Sequence, residues 1–263
     1  MAKTRDQSHY TIHIVIDALD ILERFRGEGG EQGIAEISHA LEISKNSATR
    51  LLATLERRGY VERNPLTDRY QLGLKVLELR QSYLRQGGLL TRARPLLEGL
   101  MAESGETVYL ALLKKAHIVY AAAVESNQPV RVVSRVGTRL PAYCTASGKV
   151  HLAHLPNAVL DKLYPDNDLQ RFTPQTLATK QALLKELQAV AEQGYAVDNE
   201  EYDREVRCMA VPVFDHTGNV AAAMSLSGPS FRLPETRVYD ELVPLMLKLS
   251  AELSRQLGYI PEV

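Results

Sequence analysis

Asn46, Thr49, Arg50 and Arg57 recur at helical spacing, opposite a stripe of Ala48, Leu51, Leu52 and Leu55. Their types suit the floor of a DNA major groove. Arginine pairs with guanine through two hydrogen bonds, asparagine does the same with adenine, and threonine offers a hydroxyl and a methyl. Ser44, Lys45 and Ser47 stand at the start of the same segment, where backbone amides and side-chain donors reach phosphate oxygens. A second polar set lies far downstream. Ser225 and Ser227 share one face of a strand by period-2 alternation, and Cys208, Ala210 and Pro212 share a face of its neighbour. Thr145-Ala146-Ser147-Gly148 opens a helix, whose unpaired first amides and hydroxyls can hold an anion. A third chemistry is covalent or metal-based. Cys144 or Cys208 could be a nucleophile beside one of the seven histidines, and His151 with His154 could ligate zinc with a cysteine. Lone cysteines are more often buried small hydrophobes, and the chain has no HExxH, P-loop or GxGxxG. Catalysis is therefore not expected, and no cofactor or metal is implied.

The elements that must carry the first set read as a winged helix-turn-helix over residues 10–72. Ile12, Val15, Ile16, Leu19, Leu22 and Phe25 have helical spacing over 11–26, and the run GEGG at 27–30 ends that helix. A short second helix follows, with Ile34, Ile37, Ala40 and Leu41 inward. Ser44 caps the third, and Gly59 closes it. Strands at 60–63 and 70–72 flank the turn NPLTD, with Arg63 and Arg69 on either side, placed to follow a DNA backbone or enter a minor groove. Charge agrees with this reading. The whole chain has a net charge of −1, yet Lys45, Arg50, Arg57, Arg58 and Arg63 outnumber Glu56 and Glu62 within one stretch. Attraction to phosphates depends on charge within a Debye length, about 8 Å.

Residues 73–88 read as a linker helix, with Leu74, Leu77, Leu79 and Leu84 on its apolar side and Gly87-Gly88 at its end. Residues 89–258 change character. A helix at 89–104 precedes strand-like runs at 107–113, 118–125, 130–136, 208–214 and 220–227. Helices are expected at about 145–155, 157–164, 179–193 and 234–257, the last kinked by Pro244. The turn HTGN at 216–219 joins the last two strands. Antiparallel strands among helices make this half an α+β sensor-type domain of GAF- or PAS-like shape. The fold class is thus α+β in two domains.

Four stretches, two in each half of the chain, carry a resemblance to a known family. AEISHALEISKNSATRLLATLERRGYVER at 35–63, with YQLGLKVLEL at 70–79, resembles the winged helix of the IclR family of bacterial transcriptional regulators. GYAVDNEEYDREVRCMAVPVFDHTGNVAAAMSLSGP at 194–229 and PAYCTASGKVHLAHLP at 141–156 resemble its C-terminal signature and pocket loop. The resemblance spans about 10–258 of the chain. One position departs: the turn before the third helix often carries Gly in this family, and here it is Glu42. If that position needs positive φ, Glu is strained by about 1 kcal/mol.

The resemblance implies effector contacts at Ala146, Ser147, Asp198, Cys208, Ser225 and Ser227, next to Gly148, with Val132 and Leu140 as an apolar wall. Amides and hydroxyls suit a small carboxylate, and Asp198 could accept from a hydroxyl on the same ligand. The expected partners are a double-stranded DNA operator, that carboxylate effector, and a second copy of the chain. One winged helix touches too few base pairs for a unique address, and a two-fold dimer doubles the site into an inverted repeat. Dimers of dimers are frequent in the family. Repressor and activator both stay open, as do an enzyme on the α+β domain and an architectural protein without ligand. Only two cysteines, an N-terminus without an unbroken apolar run, and no segment of roughly 18 apolar residues point to a cytoplasmic protein with no membrane partner.

Overall fold

A computed structural model describes residues 11–25, 30–79 and 88–260, in two compact units divided between Gln86 and Gly87. In the first, α1 (His13–Arg24), α2 (Ile34–Ala40) and α3 (Lys45–Arg57) precede β1 (Val61–Arg63) and β2 (Tyr70–Leu72). Ile21, Ile37, Ala48, Leu52 and Val61 are fully buried together, and each large aliphatic side chain so buried contributes about 1.5–3 kcal/mol. The apolar stripe of α1 differs from the one its spacing suggests. Ile21 and Phe25 are buried, with Ala18 and Leu22 beside them, whereas Ile12, Val15, Ile16 and Leu19 are exposed. Only the C-terminal half of this helix packs on the three-helix body.

The wing pairs Val61 with Leu72 and Arg63 with Tyr70. Gln32 adds a two-bond bridge to Tyr70 on the other edge (2.8 and 2.9 Å). Glu42 lies in the left-handed region at φ 54, so the strain foreseen for a side chain there is present. Residues 75–79 are helical. The remainder of the linker helix, Leu84 included, lies outside the described residues, as does most of the GEGG run.

The second unit is a six-stranded antiparallel sheet between two helical layers. α4 (Leu89–Ser104) leads into β3 (Thr107–Lys114), β4 (His117–Val124) and β5 (Arg139–Pro141). α5 (Ala146–Ala153), α6 (Asn157–Leu163) and α7 (Lys180–Gln193) follow, then β6 (Ala196–Asn199), β7 (Val206–Phe214), β8 (Val220–Pro229) and α8 (Val243–Gln256). The strand order is β5-β4-β3-β8-β7-β6. Alternation divides the side chains: Tyr109 and Ala111 face α5–α7, Val108 and Leu110 face α4 and α8.

Two expectations for this unit fail. Residues 130–136 form no ladder; the strand falls at Arg139–Pro141 instead. Val132 and Ser134 are half-buried between exposed neighbours, but the bonds they make go to a side chain. Tyr109 Oη donates to the Val132 carbonyl (3.3 Å) and accepts from the Ser134 amide (3.0 Å). The final helix also departs from the expected form: its backbone is helical from 235 to 256, and the irregularity before Pro244 is a π-helical turn, Arg237–Leu242, that runs directly into α8.

Candidate nucleic-acid interface and ligand cavity

α3 is anchored and presented by its own sequence. Ser44 Oγ accepts the Ser47 amide at 3.1 Å, and the two hydroxyls lie 2.9 Å apart. Gly59 takes φ 76 to turn the chain into β1. Ala48, Leu51, Leu52 and Leu55 are buried, and Lys45, Asn46, Ser47, Thr49, Arg50, Ala53 and Arg57 are exposed. Thr49 Oγ1 donates to the Lys45 carbonyl at 2.8 Å, leaving its methyl and lone pairs outward. Among the described residues no ion pair involves Lys45, Arg50 or Arg57, so three exposed cations of α3 have no carboxylate partner there.

The wing arginines differ. Arg63 pairs with Asp68 across the turn, and both are exposed, a contact of little energetic weight. Arg69 bonds Glu36 Oε2 (2.6 Å) and the Glu31 carbonyl (3.0 Å), so it braces the wing against α2 and has less freedom to follow a backbone than its position in sequence suggests. Glu31, not singled out by its sequence, ties the turn down by accepting from Asn64 and Thr67. The Thr67 and Asn64 hydrogen bonds hold its carboxyl below the ordinary range.

Six of the seven expected pocket residues meet at one cavity in the second unit: Ala146, Ser147, Asp198, Cys208, Ser225 and Ser227. Register explains why. Asp198 faces Cys208 across β6–β7 and Cys208 faces Ser227 across β7–β8, so three strands deliver one polar row. Ser225, opposite Ala210, lies one step along. Val132 and Leu140 complete the wall as expected. Gly148 does not belong to it. A Cβ there would fall 2.0 Å from the Ala142 carbonyl oxygen, so its role is to let α5 dock closely on residue 142.

Tyr120, Ser134, Thr145, Tyr202, Asp203 and Val206 also line the cavity. Ser134 could have been found from its alternation with Val132, and Tyr202 and Asp203 from their nearness to Asp198. Tyr120 carries no such signal; it is placed by stacking on Tyr109, with ring centroids 4.3 Å apart. Thr145 caps α5 by accepting the Gly148 amide (3.2 Å). The Ala146 and Ser147 amides at that helix start have no intrahelical acceptor.

The cavity is tight, about 30 Å³, room for one or two waters. Ser225 Oγ is buried with no hydrogen-bond partner among the described residues, and Ser227 Oγ donates to Cys208 Sγ at 3.1 Å. Burial, and then nearby Glu201, push the Asp198 carboxyl from 3.8 to about 7, while its Oδ1 accepts the Glu201 amide at 2.7 Å. Behind it, buried Lys149 bonds Glu201 (2.6 Å), Glu186 (2.9 Å) and the Val197 carbonyl (2.6 Å).

The geometry works against both enzyme readings. Burial pushes the Cys208 and Cys144 thiols well up, and Asp198 pushes both further; a protonated thiol is a poor nucleophile and a poor metal ligand. His151 donates to the Ala111 carbonyl (3.1 Å), and burial lowers its basicity to about 4. No group of three His, Cys, Asp or Glu is placed to hold a metal among the described residues. No helix among them is long and apolar enough to cross a membrane.

A winged helix followed by an α+β unit with a small cavity that gathers polar side chains is the architecture of a transcriptional regulator with its own sensing domain. Comparison with known proteins agrees. Residues 81–255 match the C-terminal domain of the bacterial transcriptional regulator IclR, and residues 17–65 match the IclR helix-turn-helix domain. The HTH-type transcriptional regulator XynR of Escherichia coli K12 is 37% identical over 248 residues, spanning 94% of this chain and 98% of the relative. KdgR of the same organism is 35% identical over 254 residues, spanning 97% and 96%. The crystal structure of Thermotoga maritima IclR superposes with a TM-score of 0.77 at 33% identity, covering 95% of this chain and all of that one. The chain belongs to the IclR family of bacterial transcriptional regulators: it is a DNA-binding regulator and not an enzyme.

Proposed function

We propose that this regulator reads an inverted-repeat operator as a homodimer or dimer of dimers, and alters its grip when a small organic carboxylate fills the cavity. Asn46, Thr49, Arg50 and Arg57 are the base-reading candidates. Ser44, Lys45, Ser47 and Arg63 are the phosphate-contacting ones, with Arg69 secondary because of its bonds to Glu36 and Glu31. The exposed apolar stripe Ile12, Val15, Ile16 and Leu19, with Leu74, Leu77 and Leu79, offers surface for a second copy; patches of this kind mark association sites.

The observation that carries the ligand reading is Ser225 Oγ, buried and unpaired beside the free amides that open α5. A buried hydroxyl without a partner costs about 1–3 kcal/mol, which a ligand oxygen removes. A carboxylate accepts from the Ala146 and Ser147 amides, whose helix dipole favours negative charge. Asp198, protonated below about pH 7, can donate to the ligand instead of repelling it. Admission requires widening a 30 Å³ cavity, and the segment that carries Val132 and Ser134, bonded to the Tyr109 hydroxyl and outside the strand ladder, is the wall we expect to move.

A thermal-shift screen of short mono- and dicarboxylic acids, hydroxy acids included, tests the reading, because a ligand that binds the native state raises its melting temperature. At least one acid should stabilise the wild-type chain and leave the Ser225→Ala/Ser227→Ala double variant unmoved. An acid that stabilises both equally would place its site elsewhere.

A further inference from the structure

We propose that the second unit carries another small-molecule site, separate from the cavity above and specific for an organic ammonium ion. An open cleft of about 360 Å³ lies between α7, β6, β7 and the π-helical turn. Three carboxylates line it: Glu186, Glu201 and Glu235. The cations beside them are already engaged. Lys149 is bound by Glu186, Glu201 and the Val197 carbonyl, and Arg207 by Asn199 Oδ1 (2.9 Å) and the Leu233 carbonyl. Three carboxylates against Lys149 and Arg207 leave one negative charge in excess.

The feature that points to a ligand is Glu201 Oε2. Glu201 is 7% exposed. Its Oε1 takes the Lys149 ammonium, whereas Oε2 is buried with no hydrogen-bond partner among the described residues. An unpaired oxygen on a buried carboxylate is costly, and because Glu201 lines the cleft, a small side-chain shift would let a cationic donor bound there reach it. The flanking walls suit the same ligand. Tyr195 and Tyr239 stand 6.2 Å apart at 56°, and a tyrosine ring attracts a cation within about 6 Å of its centroid. Carboxylates with aromatic rings select a cation over an anion or a neutral polyol. The carboxylate cavity has the opposite chemistry, and this proposal does not depend on it. The two sites share a wall all the same: the Glu201 amide bonds Asp198, and Lys149 belongs to α5, whose first turn lines the cavity.

The test is a calorimetric titration of the full chain with putrescine at low salt, with the uncharged diol of the same carbon skeleton as control. Putrescine should bind saturably and the diol should not. Glu201→Gln should weaken putrescine binding about tenfold or more, as loss of a hydrogen bond to a buried charge does. That variant also disturbs Lys149, so it is read alongside Glu235→Gln, an exposed cleft residue whose loss should cost about two- to fivefold with the fold intact. No saturable binding of putrescine, equal binding of the diol, or wild-type affinity in both variants would overturn the proposal.

Discussion

Replacing Asp198 by Asn isolates the electrostatics of the cavity. Asp198 is 3% exposed, and burial lifts its carboxyl from 3.8 to about 7. Its Oδ1 accepts the Glu201 amide, a bond that an Asn oxygen keeps. In the unfolded chain the carboxyl ionises near its ordinary value. Below that pH both states are protonated. Between 3.8 and about 7 the folded state holds a proton that the unfolded state has lost, so stability falls as pH rises. Above about 7 both states are ionised and the full penalty persists. At about 1.36 kcal/mol for each tenfold change in acidity, the span gives about 4 kcal/mol.

Asn never ionises, so its advantage over Asp should be smallest in acid, grow across that window, and level off above it. Urea denaturation at a series of pH values measures the difference. The near-ultraviolet circular dichroism is weighted towards this unit by buried Tyr109, Tyr120, Tyr143 and Tyr164, with Tyr70 the buried tyrosine of the first unit. Any fixed cost of the swap adds a constant, and the slope is the signal. A difference that does not vary with pH, or that is complete near pH 4, would refute a buried neutral Asp198.

Arg50→Ala should cost about 1–3 kcal/mol of specific operator affinity if Arg50 reads a base, measured by fluorescence anisotropy against nonspecific DNA, with the melting temperature unchanged. Glu42→Gly should raise the stability of the first unit by about 1 kcal/mol in thermal denaturation, since Gly takes positive φ without strain. Gly148→Ala should destabilise the second unit by about 1–3 kcal/mol or more, because the added carbon meets the backbone of Ala142; a neutral result in the same assay would mean that α5 can shift.

Periodicity made most of the framework legible. The stripe Ala48, Leu51, Leu52 and Leu55 faces inward as its spacing requires, and period-2 alternation placed Ser225 with Ser227 and Cys208 with Ala210. Four features were not legible, each for a physical reason. The 130–136 run alternates like a strand, but its hydrogen bonds go to a tyrosine side chain rather than a ladder, and alternation does not distinguish these. Gly148 reads as part of an anion-holding helix start until the Ala142 backbone is known to lie against it. The apolar spacing of α1 serves two stripes at once, and only the packed body shows that Ala18, Ile21, Leu22 and Phe25 form the buried one. Arg69 likewise reads as a free cation until Glu31 and Glu36 close around it.

The central claim is that cavity occupancy is read out as a change in DNA affinity. DNA from upstream of the chain's own gene, titrated with wild-type protein and with the Ser225→Ala/Ser227→Ala variant, tests it most directly when run with and without an acid that stabilises the wild type. Without acid the two proteins should bind with equal affinity, and adding acid should shift the wild type alone by about fivefold or more, the range usual for coupled sites. An identical shift in both proteins, or none in the wild type at saturating acid, would contradict it.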